Sequence, residues 1–407
     1  MSVGCRRNVA VIGCLALFSS LLFAGWSVQT SGVVTDLNSV SFPEGTQVGY
    51  AVGEGGVILK TTDGGTSWVP QTSGTGSGLY AVSFENNSTG FAVGKSGTAI
   101  RTTDGGATWD TMSVGATTSL FAVQFVGTGG TGYTCTHQPT GGSTLYKTTD
   151  AGANWQLYSL PGSGEQGNCL SFASESIGLV AGLRGYGVRT LDGGANFSYM
   201  SPGTVQNFRG VAFVRNDPST AYIVGDSLTI VKTADTGTTW VEMSVSGPPD
   251  GGAAFFSVCA PVSASTAYAV GDGGVIVKNS GTTFWYQQVS GVTGRLVSVC
   301  FPNGNDTGYV VGAAGVILKT TDGGGAVGVG GSSERAMKRA AVRVASNPSR
   351  HGIALLSDAD VNVVVFDAAG RAVMSRVAAK GGNFLPLSAG AYFVRAGALT
   401  VRAVVTD

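Results

Sequence analysis

The chain has 407 residues, 43% hydrophobic and only 12% charged, which leaves ample material for a core and none of the composition of a disordered segment. Lys plus Arg number 24 and Asp plus Glu 24, so net charge offers no nucleic-acid footprint, and two His leave little for metal or acid–base chemistry. The 65 Gly lack the every-third-residue period of collagen and gather at repeated turns, as expected for many short strands joined tightly.

At the N-terminus, Arg6 and Arg7 precede an apolar run from Val9 to Phe23, followed by the small residues Ala24 and Gly25. That order predicts a secretory signal peptide over residues 1–25. The run is shorter than the ~20 residues a spanning helix needs, so no stable membrane span is expected after cleavage. Val11-Ile12-Gly13-Cys14 has the look of a lipoprotein cleavage box, but the apolar run continues well past Cys14. The expected address is the cell surface or the medium, with the periplasm as the alternative.

From residue 26 the chain repeats. Thr61-Thr62-Asp63-Gly64-Gly65-Thr66-Ser67-Trp68 returns as Thr102 to Trp109 and as Thr148 to Trp155. Looser copies run from Thr190 to Phe197, from Ala234 to Trp240, from Lys278 to Trp285 and from Thr320 to Gly325. The large aromatic falls at 26, 68, 109, 155, 197, 240 and 285, and the six Trp of the chain all stand at this position. A period of that size marks a propeller or solenoid. Within a unit, Leu37 to Phe42 alternates as a strand, Gly49 to Gly53 and Gly56 to Thr61 read as a second and third, and the turn delivers Trp68 into a fourth. Four antiparallel strands per unit make a propeller blade.

The last turn has no Trp strand after it, while Trp26 to Gln29 stands with no turn before it. Pairing that segment as the outer strand of the last blade closes a ring of seven and removes a sheet edge. A six-bladed ring with frayed ends is the alternative. The fold class expected is all-β, a seven-bladed β-propeller over residues 26–325 followed by a small β-sandwich.

These turns resemble the Asp-box, or bacterial neuraminidase (BNR) repeat. The fuller unit, Tyr50-Ala51-Val52-Gly53 through Gly56 to Gly65, is similar to the photosystem II stability/assembly-factor-like propellers, a resemblance that covers about residues 26–325. It implies a propeller that binds a protein rather than turning over a substrate. Members of that family bind a reaction-centre subunit through an Arg-rich patch; here Arg184, Arg209 and Lys95 are the only basic residues among the equivalent face positions, a departure from that pattern. In the box itself, Asp63, Asp104, Asp150, Asp192, Asp235 and Asp322 read as structural, each carboxylate accepting hydrogen bonds from its own turn. Spread around one rim, they cannot work as an acid–base pair.

Sialidases share the box, but a sialidase-like site would need an Arg cluster for the substrate carboxylate and a Tyr nucleophile backed by an acid. Neither is evident, so no catalytic residue, metal or cofactor is assigned. Candidate ligand-binding residues are instead those that vary between otherwise similar blades. One set follows the first-strand Leu and the other lies in the loop between second and third strands. Tyr80, Phe121, Arg184, Tyr186, Arg209 and Phe256 come from these sets and are expected to converge on one face of the ring, although Phe121 and Phe256 could equally pack against neighbouring loops. Cys135, Cys169, Cys259 and Cys300 show no metal spacing. Cys259 and Cys300, at matching places in consecutive blades, are either bridged or plain buried thiols.

Residues 326–340 are predicted to be a Gly/Ser-rich linker. Beyond it, over 341–407, come Asn347-Pro348, Val361 to Phe366, an Asp367 to Arg371 hairpin, Leu387 to Arg395 and a Val-rich terminal strand, read as a small β-sandwich. This order resembles the type A C-terminal sorting domain of type IX secretion, without the closing Lys often seen there; a plain accessory sandwich is the alternative. The resemblance implies the secretion machinery as a partner for residues 341–407. The resulting expectation is an exported, non-enzymatic binding scaffold whose partner is a protein or a surface glycan. An envelope assembly factor for a membrane complex and a glycan-binding or sialidase-like hydrolase are the alternatives.

Overall fold

A computed structural model describes residues 25–137, 142–162, 166–246, 253–262 and 266–325, and shorter stretches between 342 and 406. The predicted signal peptide, up to residue 24, and the linker lie outside the described residues. Residues 27–320 form seven antiparallel sheets in chain order, each with its innermost strand first, and together they make a seven-bladed propeller. The six-bladed alternative fails on the closure. Ser27–Gln29 pairs antiparallel with Ile317–Thr320, Val28 opposite Leu318, as the outer strand of blade 7. Trp26 secures the joint, donating its indole N–H to Gln288 Oε1 at 2.9 Å and meeting Phe301 edge-on at 6.0 Å.

The innermost strands do not strictly alternate, contrary to the expectation from the sequence. In Leu37–Ser41 the buried residues are Leu37 and Val40, three apart, and Phe42 follows at two. With a side-chain period of two, that spacing requires one extra residue. A β-bulge supplies it: Leu37 faces Gly53 and Ser39 faces Val52, which leaves Asn38 unpaired. The same shift recurs in all seven blades, leaving Tyr80, Phe121, Asn168, Arg209, Phe256 and Val297 as the extra residues of the other six.

Blades pack through a repeated aromatic contact. Phe84, at the end of the blade 2 inner strand, stacks on Tyr50 of blade 1 at 3.6 Å and meets its own Trp109 edge-on at 5.9 Å. Phe42, Phe125, Phe172 and Phe301 stack likewise, at 3.6–4.0 Å, on the preceding blade's ring. A Cβ at Gly90 would lie 2.3 Å from the Phe84 ring, so glycine there is a condition of the stack. Blade 6 breaks the pattern, with Ala260 where the others carry Phe. Its worn turn, one residue shorter between Asn279 and Trp285 than between Thr61 and Trp68, sends Trp285 fully inside, 5.5 Å edge-on from Tyr222. The indole thus fills the space that the missing phenyl ring leaves. Ser244–Ser246 adds a parallel fifth strand outside that blade.

The C-terminal residues form two sheets of three and five strands, with Ile353, Leu355, Val363, Val365, Leu385, Tyr392, Val394 and Val405 in one shared core. This is the small sandwich that the sequence leads one to expect.

Trp285→Ala should cost roughly 3–5 kcal/mol, as large aromatic truncations in cores do, whereas Phe284→Ala, whose ring is 48% exposed, should cost well under half of that. Urea denaturation midpoints of the two variants measure the difference.

Candidate functional site

A four-stranded antiparallel blade puts its turns on two opposite faces. The A–B hairpins and the boxes share one, here the box face, and the B–C turns and blade-to-blade connections share the other, here the mouth face. On the box face each carboxylate is consumed locally. Asp63 Oδ1 accepts from Thr61 Oγ1 at 2.8 Å and from the Ser67 N–H at 2.9 Å, and Oδ2 accepts from Ser67 Oγ at 2.6 Å. Asp104, Asp150, Asp192 and Asp235 repeat all three bonds in kind, and Asp322 accepts from Thr320 Oγ1 and the Gly325 N–H. Those bonds pull the carboxyls of Asp63, Asp104, Asp150 and Asp235 down to about 2. Such groups are poor proton carriers near neutrality. Several boxes are also held from the blade before them: Tyr50 Oη and Lys60 Nζ both donate to Gly105 O, at 2.8 and 2.6 Å. The box carboxylates are thus committed to hydrogen bonds of their own turns.

The central channel, about 470 Å³, is lined by the inner strands and includes Ser83, Gln124, Ser171, Cys259 and Cys300. Toward the box face Arg215 of blade 5 reaches across, donating to Phe301 O at 2.6 Å and Pro302 O at 2.9 Å of blade 7 and pairing with Glu44 of blade 1 at 3.5 Å. All four described cysteines are free, and burial pushes the thiols of Cys135 and Cys300 up to about 12. The bridge between Cys259 and Cys300 is not formed.

On the mouth face the seven bulged residues begin the seven inner strands, so the bulges carry the blade-to-blade variation to the rim of the channel. Tyr80 and Phe121, both half-buried, lie nearly parallel with centroids 6.1 Å apart. Across the mouth a single network spans blades 4 to 7. The Arg184 N–H donates to Asn207 Oδ1 at 2.9 Å, and Asn207 Nδ2 donates to Asp226 Oδ2 at 2.8 Å. Arg209 binds Asp226 through Nε and Nη2. The Arg209 guanidinium stands 5.3 Å from the centre of the Phe256 ring, and the Arg295 guanidinium stands 4.8 Å from it. Arg295 Nε in turn donates to Asp272 Oδ1 at 2.8 Å. Burial works against the Asp226 carboxylate, but the hydrogen bonds from Arg209 and Asn207 outweigh it and hold its pKa below the ordinary value.

Of the residues expected here, Tyr80, Phe121, Arg184, Arg209 and Phe256 do lie on this face. Tyr186 does not. It is 5% exposed, packs in the core between blades 3 and 4, and donates its hydroxyl to Pro161 O at 2.8 Å. The reason is local: the B–C turn carries positive φ at Arg184 and Gly185 (58° and 75°), which swings the next residue back into the sheet. Arg295 and Asn207 were missed because they precede the first buried residue of their strands rather than follow it. Variation at the preceding position (Asp36, Gly78, Ser119, Gln166, Asn207, Ala254, Arg295) was the available signal.

Burial raises the phenols of Tyr50, Tyr222 and Tyr309 to about 12 and those of Tyr133 and Tyr268 as well, so none of these five is an activated nucleophile. Among the described residues no cluster of three His, Cys, Asp or Glu could hold a metal ion.

Fold and turns together define a seven-bladed β-propeller of the BNR type. The family model described as photosynthesis system II assembly factor YCF48 matches residues 19–165. Among solved structures the chain is similar to YCF48 bound to a D1 peptide, with a TM-score of 0.59 and 19% identity over 73% of this chain and 97% of that one. It is similar to YCF48 from Cyanidioschyzon merolae, with a TM-score of 0.61 and 20% identity over 73% and 99% of the two chains. U3-55K matches at a TM-score of 0.61 and 11% identity, over 73% of this chain and 98% of its own. No curated protein matches the chain. Likeness at these identities is likeness of fold.

The box carboxylates set an acid limit. The folded pKa values of Asp63, Asp104, Asp150 and Asp235 lie at about 2, below the ordinary 3.8, so their contribution is fully present above about pH 4 and is lost as pH falls through about 2. Melting temperature should stay level down to about pH 4 and then drop, and Asp63→Asn should flatten that drop. A melting series across pH checks both.

Proposed function

We propose that this chain is a non-enzymatic scaffold that binds a protein segment on its mouth face, in the manner of the photosystem II assembly-factor-like propellers. One observation carries the reading: side chains that differ from blade to blade collect on the mouth rim, whereas the repeated carboxylates are spent on turns at the opposite face. Recognition requires the first arrangement, and the second leaves no paired acid and base for hydrolysis. The YCF48 structure with a D1 peptide supports a protein ligand, since a similar ring takes a peptide there. Export, and delivery to the cell surface through residues 341–407, belong to the same proposal. They rest on the apolar leader and on the sorting-domain resemblance.

A photo-crosslinking residue placed at 121, compared with one at 66 on the box face, tests the binding face in the native host. Protein adducts should form from 121 and not from 66; adducts from 66 alone would put the binding face on the wrong side. Fractionation with mass spectrometry of both termini tests delivery. Surface or medium material lacking the residues after about 333 supports sorting, and periplasmic protein still ending at Asp407 overturns it.

A further inference from the structure

The mouth face carries cations, yet the described residues leave it with no net charge to offer. Its cations are Lys95, Arg184, Arg209 and Arg295, and its carboxylates are Asp36, Glu54, Asp226 and Asp272, four against four. The two arginines nearest the Phe256 ring are already committed, Arg209 to Asp226 and Arg295 to Asp272. An anionic ligand would have to displace those carboxylates, which sit on the same rim and would repel it. The rest of the described face is uncharged, with small Ser, Thr and Gly residues in the connections and exposed apolar side chains among them. The three most exposed large apolar side chains among the described residues are Val34 (87%), Val205 (80%) and Val289 (75%), and all stand in blade-to-blade connections of this face. The half-buried Tyr80–Phe121 pair lies across the mouth from Phe256.

We infer that the ligand of the mouth face is an uncharged peptide segment bearing aromatic or aliphatic side chains, held by contact with Phe256, its flanking guanidiniums and the rim valines. This inference rests on the protein-binding reading above and adds the chemistry of the partner. A guanidinium whose charge is met at its edge by a carboxylate still offers a weakly hydrated planar face to an aromatic side chain. The network from Arg184 to Asp272 holds these groups in place before any ligand arrives, which lowers the entropic cost of binding. Affinity of this kind depends little on salt, because screening acts on net charge.

The test is selection from a displayed library of random peptides with the full chain as bait, followed by fluorescence anisotropy on the enriched peptides at about 50 and about 500 mM NaCl. The expected result is uncharged peptides rich in aromatic or aliphatic residues, with affinities that change less than about threefold with salt. Phe256→Ala should weaken them by about tenfold or more, Phe256→Tyr should retain binding, and Lys95→Ala should leave it unchanged. Since Val205 and Val289 are exposed, Val205→Asp and Val289→Asp perturb the rim without threatening the fold, and each should also weaken binding. Acidic peptides whose affinity collapses with salt would overturn the ligand class while keeping the site. Uncharged peptides indifferent to Phe256→Ala and to both Asp variants would overturn the site while keeping protein binding. No enriched peptide at all would remove the protein-binding reading, and this inference with it.

Discussion

The interaction on which the ring depends is the stack of one blade's Tyr or Phe on the next blade's inner-strand Phe. Sheets in a propeller face one another with nothing but side chains between them. Five of the seven interfaces fill that space with stacked rings that fit at van der Waals distance, while blades 4 and 5 meet through Leu179 and Phe213. Tyr50 on Phe84 at 3.6 Å and Tyr133 on Phe172 at 3.6 Å provide that fit, with the box Trp closing the outer side of Phe84 at 5.9 Å. Blade 6 fills the same space by another route. Where Ala260 removes the ring, the chain shortens its turn by one residue and inserts Trp285 in its place.

Once the stack positions the blades, the rest follows from where polar groups can be satisfied. Tyr50 extends past its stack to put a hydroxyl on the neighbouring box at Gly105 O, and Lys60 reaches the same carbonyl. The box carboxylates then finish their own turns. Not every group is met: the indole N–H groups of Trp68, Trp109, Trp155 and Trp285 are buried without a partner, whereas Trp26 and Trp240 have one. Burying the ring outweighs that loss at the four positions.

The proposed recognition surface is a by-product of the same repeat. A bulge is needed in every inner strand so that Leu, Val and Phe can all face inward, and the extra residue is free of that obligation. Seven such residues ring the mouth, and their identities vary because the stack makes no demand on them. Arg209 and Phe256 are two of these, and Arg295 joins them from the connection between blades 6 and 7.

Much of this was legible in the residues alone. The period of Trp68, Trp109 and Trp155 implies a ring of blades, and the unpaired Trp26 strand implies how it closes, because a sheet edge left open is costly and the only spare strand lies at the other end. The spacing of Leu37, Val40 and Phe42 already contained the bulge, although it is easily read as plain alternation. What no local pattern could decide was which side chains meet across blades. Tyr186 varies like a binding residue but turns inward, because backbone torsions at Arg184 and Gly185 redirect it. Arg295 reaches Phe256 only because the ring brings blade 7 beside blade 6, and Asp226 and Asp272 neutralise both arginines only in the folded ring. The sequence by itself determined the ring, its closure and its spent carboxylates, since those follow from repeating local geometry. Only the tertiary structure decided the chemistry of the mouth, since that chemistry consists of contacts between residues tens of positions apart.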